Sequence, residues 1–176
     1  MNKRLTIWFV AGVAVLASLL ALIYFFIIKR VIGMRISDKG LAALKQFETL
    51  RLTAYQDSKG VWTIGWGHTG GVRAGDTCTR EQADKWLKQD VATAENAVNS
   101  QDLKINQNQF DALVCFTYNA GVGNFKSSTL LKKIKANPDD PTIAAEFKRW
   151  KFCGGVALDG LANRRAVEAN LYFGLI

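Results

Sequence analysis

Two carboxylic acids and a hydroxyl lie close together in FETLRLTAYQDSKGVWTIGWGHT, residues Phe47 to Thr69: Glu48, Asp57 and Thr63. Two carboxylates in unlike surroundings are what glycoside hydrolysis needs. One stays protonated to give a proton to the leaving oxygen, and the other stays ionised to handle water or the developing positive charge. Glu48 has the apolar neighbours Phe47 and Leu50, which favour its protonated form. Asp57 sits among Gln56, Ser58 and Lys59, which favour the charged form. Spacing alone does not raise such a pair above ordinary solvated carboxylates.

The elements around these residues are legible. Ser37 is an N-cap candidate, followed at helical spacing by Leu41, Leu44 and Phe47, and this helix is predicted to end near Glu48–Leu50. Thr53–Asp57 and Val61–Trp66 read as strands joined by the turn Asp57-Ser58-Lys59-Gly60. A helix end carrying Glu48 can thus face a hairpin carrying Asp57 and Thr63 across a cleft.

The remainder reads as helical. Thr79-x-x-Gln82 is a capping box opening one long helix with Ala83, Trp86, Leu87, Val91, Ala94 and Val98 on a face. Asn106 caps another that carries Phe110, Leu113, Val114 and Thr117. Ser127 or Ser128 starts a short one with Leu130, Leu131 and Ile134, stopped by Asn137-Pro138. Pro141 fits a first helical turn before Phe147 and Trp150, and a last helix is predicted from about Ala162 to Tyr172. The fold class is α+β, a small hairpin or sheet lobe with a larger helical lobe.

Residues 5–28, from Leu5 to Ile28, contain no charge and are weakly interrupted by Thr6, Gly12 and Ser18. At about 1.5 Å per residue they span a hydrocarbon core of about 30 Å. The run exceeds the roughly 7–15 residues of a cleaved signal, and no small-x-small site precedes Lys29-Arg30. The organisation is read as a short basic N-terminus (1–4), a transmembrane signal anchor (5–28), a linker (29–36) and one enzymatic domain (37–176). Lys3 and Arg4 precede the anchor and Lys29, Arg30 and Arg35 follow it, so the positive-inside rule leans slightly against an exported C-terminus. Topology must then be argued from function.

The net charge of +8 is partly an anchor effect, because five of the 23 basic residues and none of the 15 acids fall in the first 35 positions. The remaining +3 is too small to argue for nucleic acid and is compatible with an anionic polymer. The three cysteines, Cys78, Cys115 and Cys153, form no C-x-x-C pair. Cys115 reads as core, and Cys78 with Cys153 is the pair to suspect if a disulfide forms. The single histidine, His68, excludes H-E-x-x-H zinc chemistry and reads as a hydrogen-bonded supporting residue in preference to a base. Gly121-x-Gly123 lacks the third glycine of a dinucleotide loop. No metal and no cofactor is expected. Trp62, Trp66, Trp86 and Trp150 are core candidates, with Trp62 or Trp66 able to stack on a sugar ring.

The spacing Glu48, eight residues, Asp57, five residues, Thr63 resembles the catalytic pattern of phage-type lysozymes, glycoside hydrolase family 24. RLTAYQD and GVWTIGWGHT around it, FDALVCFTYNAGVGNF at Phe110–Phe125, STLLKKI at Ser128–Ile134, and the closing Gly160-Leu161, Arg164-Arg165 and Glu168 are similar to the lambdoid branch. The resemblance covers about residues 37–173 and implies a lysozyme-like fold. It implies Glu48 as general acid, Asp57 as base, and Thr63 helping Asp57 to hold the attacking water, with inversion at the anomeric carbon. The bond would be the β-1,4 link between N-acetylmuramic acid and N-acetylglucosamine in peptidoglycan. Arg164, with Arg165 as fallback, matches an arginine that pairs with the acid. Such a pair positions Glu48 yet opposes the raised pKa an acid needs. Tyr118, Asn119 and Gly121 fall where the family lines its cleft, or serve only to pack and cap a helix.

With its anchor the chain is similar to signal-anchor-release endolysins. That likeness implies a monomer in the host inner membrane, its enzymatic domain on the periplasmic side, held there or released. LLALIYFFII at residues 19–28 is more strongly apolar than a releasing anchor, so a permanent tether is the alternative. Two other functions compete: a lytic transglycosylase, which needs no Asp57 and Thr63, and an idle membrane-tethered peptidoglycan-binding module. A cysteine peptidase using His68 lacks a cysteine at a helix start.

Overall fold

A computed structural model describes residues 33–57 and 60–176. The anchor of residues 5–28 and the first half of the linker lie outside the described residues. No described helix is long and apolar enough to cross a membrane. Residues Arg35–Ile176 form one compact unit.

Two buried carboxylates fix where the chain enters this unit. Glu95 accepts from the Ile36 amide at 2.8 Å and the Arg35 guanidinium at 2.7 Å. Asp111 accepts from the Ser37 amide at 2.9 Å, the Ser37 hydroxyl, and the Gln107 side chain at 2.8 Å. The Ser37 hydroxyl in turn accepts from Gly40 N, capping helix α1 (Asp38–Lys45). Gly40 is the close-approach residue of this junction: a Cβ there would lie 2.7 Å from both Asp111 Cγ and Ile36 Cγ1. α1 ends at Lys45, short of the predicted Glu48–Leu50. Phe47 N and Glu48 N bond to Leu44 O and Lys45 O, i→i−3 bonds that tighten the last turn. Glu48 therefore sits just past the helix.

Strands β1 (Arg51–Gln56) and β2 (Trp62–Gly65) form the expected antiparallel hairpin. Its register shifts: Arg51 faces Gly65 while Tyr55 faces Thr63, so four steps on β1 span two on β2. Extra residues of this kind bend a strand and increase its twist. The free side of the bend is paired, with Ala54 N bonding to Asp76 O at 2.8 Å and Cys78 N to Leu52 O at 2.9 Å.

The predicted long helix is two, α2 (Arg80–Asp90) and α3 (Ala92–Asn99), which meet at Val91. Val91 keeps right-handed helical dihedrals, and bonds from Val91 N to Leu87 O and Glu95 N to Val91 O continue the ladder. α4 (Gln107–Ala120) begins in a full capping box between Asn106 and Gln109. Residues 109–117 are all buried, so α4 is the central helix, wrapped rather than amphipathic. α5 (Val122–Ser127), α6 (Thr129–Ala136, capped by Ser128) and α7 (Ile143–Lys148) follow. Phe116 on α4 meets Phe125, Phe147 and Trp150 edge-on, with centroids 5.3–6.5 Å apart.

Besides the short helix α5, two features were not predicted. β3 (Phe152–Cys153) and β4 (Val156–Ala157) form a second small hairpin through Gly154-Gly155, both at positive φ, the geometry of a tight two-residue turn. The last helix, α8 (Asp159–Tyr172), starts three residues early at Asp159, with no side-chain cap. Cys78 and Cys115 are free thiols, so the suspected pairing of Cys78 is not formed. Cys115 is buried as read, its thiol donating to Gly40 O at 3.5 Å, and burial pushes that thiol well up.

Helix propensity favours Gly40→Ala by about 1 kcal/mol. The Asp111 carboxyl that a methyl would strike is pinned by the bonds that anchor Ser37, so this substitution is expected to destabilise the fold by roughly 1–3 kcal/mol. Urea denaturation with an unchanged m-value checks the sign.

Candidate active site

Glu48 emerges from the turn after α1 with its side chain 22% exposed. Arg164, from the buried face of α8, donates from Nη1 to Glu48 Oε1 at 3.0 Å. The Arg164 guanidinium also lies over the Phe47 ring, 5.3 Å from its centroid. Burial raises the Glu48 carboxyl above the ordinary glutamate range, and Arg164 pulls it back without reversing the sign. The two opposed influences implied by the resemblance thus leave the Glu48 carboxyl raised.

Gly67 closes the other side. Its φ is +101°, and a Cβ there would stand 3.8 Å from Glu48 Oε2 and 3.9 Å from the Tyr118 hydroxyl. The backbone after β2 therefore runs beside both groups. Burial, with Glu48 and Asp90 adding to it, pushes the Tyr118 phenol up to about 12. Tyr118 is a neutral hydrogen-bonding group beside Glu48 across the neutral range.

Asp57 and Thr63 occupy the far end of the hairpin and are joined through one residue. Val61 N donates to Asp57 Oδ1 at 2.9 Å, and the Thr63 hydroxyl donates to Val61 O at 3.0 Å. Thr63 is buried. With its proton committed to Val61, its oxygen is left to accept. The backbone of Val61 holds both groups, and no side-chain signal in the sequence marks it for that duty.

Asn119 Oδ1 accepts from Arg165 Nη2 at 2.8 Å, so its amide nitrogen faces away from the buried pair. Gly121, at φ +92° and ψ 149°, ends α4 and starts α5, which shows a backbone duty for this position. Arg165 is not a second partner of Glu48. It is bound to Asn119 and Glu168 and stacked over Phe116. Glu168 accepts on Oε1 from Arg165 Nη2 at 2.8 Å and Arg164 Nε at 3.4 Å.

His68 is a structural residue in this geometry. Its ring stacks on Trp86 at 4.8 Å, Nδ1 lies 2.9 and 3.0 Å from the two Asp90 oxygens, and Nε2 lies 3.0 Å from Gly70 O. With the Ile64–His68 backbone bridge, these contacts shape the turn that carries Gly67. Trp66 donates to Asp84 at 2.7 Å and carries Lys45 and Arg80 over its ring, so its indole is already engaged. Among the described residues no group of three or more His, Cys, Asp or Glu side chains could hold a metal.

Residues 45–168 match the family model described as phage lysozyme. The chain belongs to the phage lysozyme family. It is an endolysin-type lysozyme, a glycoside hydrolase. The endolysin of Acyrthosiphon pisum secondary endosymbiont phage 1 is 42% identical over 144 residues, covering 79% of this chain and 98% of that one. The crystallised endolysin of Escherichia coli O157:H7 phage FAHEc1 is 39% identical with a TM-score of 0.74, covering 81% of this lysozyme and 96% of its own chain. The SAR-endolysin of Enterobacteria phage PA-2 is 37% identical over 119 residues, 66% of this chain and 72% of that one.

Arg164 lowers the Glu48 pKa while burial raises it, so Arg164→Ala leaves burial unopposed. The Glu48 carboxyl then keeps its proton to higher pH. The alkaline limb of the rate–pH profile for this lysozyme is expected to move to higher pH, with the maximal rate reduced on the order of tenfold or more by lost positioning. A limb that moves to lower pH contradicts the assigned balance.

Proposed function

We propose that this lysozyme hydrolyses the β-1,4 bond between N-acetylmuramic acid and N-acetylglucosamine in bacterial peptidoglycan by single displacement. Glu48 gives its proton to the glycosidic oxygen as the bond from that oxygen to the anomeric carbon breaks. Asp57 takes a proton from a water molecule whose oxygen bonds to the anomeric carbon from the opposite face, inverting its configuration. Thr63 accepts a hydrogen bond from that water. Tyr118, Asn119 and Gly121 line the sugar-binding cleft. The observation that carries this reading is the unlike setting of the two acids. Glu48 is desolvated and raised in pKa although an arginine touches it, and Asp57 is held on the hairpin by a backbone amide.

A lytic transglycosylase needs the acid alone, and an idle binding module needs neither acid. The joint tethering of Asp57 and Thr63 through Val61 speaks for a water-handling site and against both.

Residues 5–28 are proposed to anchor the enzyme in the host inner membrane, with the domain facing the periplasm and its substrate. Their uncharged apolar length and the likeness to a SAR-endolysin support this. The strongly apolar residues 19–28 favour slow release or none. Carbonate-washed membranes from expressing cells are expected to retain the full chain, and recovery in the soluble fraction argues for a released form.

Digests of purified peptidoglycan by the full chain and by Glu48→Gln, read by mass spectrometry, test the reaction. Reducing N-acetylmuramic acid ends are expected from the unmodified protein, with a loss of about 10²–10⁴ in rate for the variant. Anhydro ends identify a transglycosylase instead, and no products from either protein identify a binding module.

Stability supplies an independent check. The Glu48 pKa is raised on folding, so its favourable contribution is full below the unfolded pKa and is lost as pH rises through the folded one. Glu48→Gln is therefore expected to melt no lower than the parent at neutral pH, with its relative advantage shrinking in acid.

A further inference from the structure

The buried face of α8 carries a charged cluster larger than the one arginine that a cleft acid needs. Arg164, Arg165 and Glu168 are 5%, 1% and 1% exposed. Two cations share one carboxylate, and they share a single oxygen of it, Oε1. Arg164 Nη2, Arg165 Nε and Glu168 Oε2 are buried without a hydrogen-bond partner among the described residues. An underpaired ionic cluster is a poor stability device, because apolar side chains of similar volume generally serve a core as well or better. Its geometry, however, leads to the cleft: Glu168 to Arg164 Nε, then Arg164 Nη1 to Glu48 Oε1.

We infer that Glu168 is a positioning residue for the lysozyme reaction, fixing the Arg164 guanidinium against Glu48 while its negative charge offsets part of the arginine's. The inference rests on the proposed role of Glu48 as the acid. A guanidinium is planar, so holding Nε from one side sets the direction of Nη1 on the other. α8 supplies the spacing, since Glu168 lies three and four residues after the two arginines and so on their face of the helix.

Charge is the second half of the role. An uncompensated guanidinium at 3.0 Å favours the ionised form of Glu48, which is the wrong form for donating a proton. Burial drives Glu48 toward the protonated form, and Glu168 limits how strongly Arg164 opposes it. Arg164 from α8 is the charged group acting on Glu48, and Tyr118 from α4 adds a neutral phenol beside it. Glu168 faces Arg164 and Arg165 on its own helix and Cys115 on α4. Arg165 completes the arrangement by tying the same carboxylate to Asn119.

The test uses the full chain in detergent on purified peptidoglycan, with folding followed by circular dichroism. Glu168→Gln is expected to fold, to lose on the order of tenfold to a hundredfold in rate, and to shift its alkaline limb to lower pH. That shift opposes the one expected for Arg164→Ala, and an unchanged near-ultraviolet circular dichroism spectrum separates it from a loosened core that hydrates Glu48. The second measurement compares Arg164→Ala with the double variant Arg164→Ala/Glu168→Gln, which removes one charge of each sign together. Because Glu168 positions Glu48 only through Arg164, the two are expected to share one maximal rate. An unmoved limb in Glu168→Gln, or a several-fold further loss in the double variant, overturns the inference. Near-normal turnover by Glu48→Gln removes the acid reading itself. A dead Glu48→Gln beside a normal Glu168→Gln profile removes only the role of Glu168.

Discussion

The contact on which the site depends is the one between Glu48 and Arg164. It joins a turn after the first described helix to the middle of the last, so the cleft exists only when the whole domain is closed. It also sets a conflict. The same arginine that fixes the acid in space favours the loss of its proton. The fold answers with burial on one side and Glu168 on the other. Each of these is costly in isolation: a half-desolvated carboxyl, a buried guanidinium, a carboxylate that burial pushes up to about 7 against the pull of two arginines. Together they are mutually compensating, which is why neighbouring charges here should be non-additive under substitution.

The hairpin solves a different problem with different means. A side chain at a hairpin turn is free to wander unless something ties it. Asp57 is restrained by a backbone amide, and Thr63 is oriented by a backbone carbonyl of the same residue. Backbone tethering limits the motion of the half-buried Asp57 carboxylate. The acid lobe relies on burial and paired charge, and the hairpin on main-chain geometry. That division matches the two protonation states the reaction asks for.

What could be read from sequence follows from what leaves a mark on side-chain type. Ser37, Thr79 and Asn106 each cap the helix they were expected to cap, and Ser128 rather than Ser127 caps the short one, because capping needs a short oxygen-bearing side chain at a fixed offset. The Glu48–Arg164 pairing was legible only through family likeness, as the two are 116 positions apart and no local pattern links them. Val61 and Gly67 were not legible, since their part is played by backbone. The β3–β4 hairpin was missed although Gly154-Gly155 is a turn signal, because two-residue strands give no alternation to count. Cys78 with Cys153 was plausible by elimination, and elimination carries no geometry.

Glu168 shows where pattern and chemistry part. Its place in the sequence, three and four residues beyond two arginines, is equally that of a solvated surface pair on a helix. Only burial distinguishes the cases. In water such a pair is screened and worth little; in the core it must be retained as a unit or replaced as a unit. A fold that retains it, with several polar atoms still unpartnered, keeps a charge where stability alone gives no reason for one. The proposed reaction supplies one: Glu48, one residue away, must be held by a cation and still keep its proton.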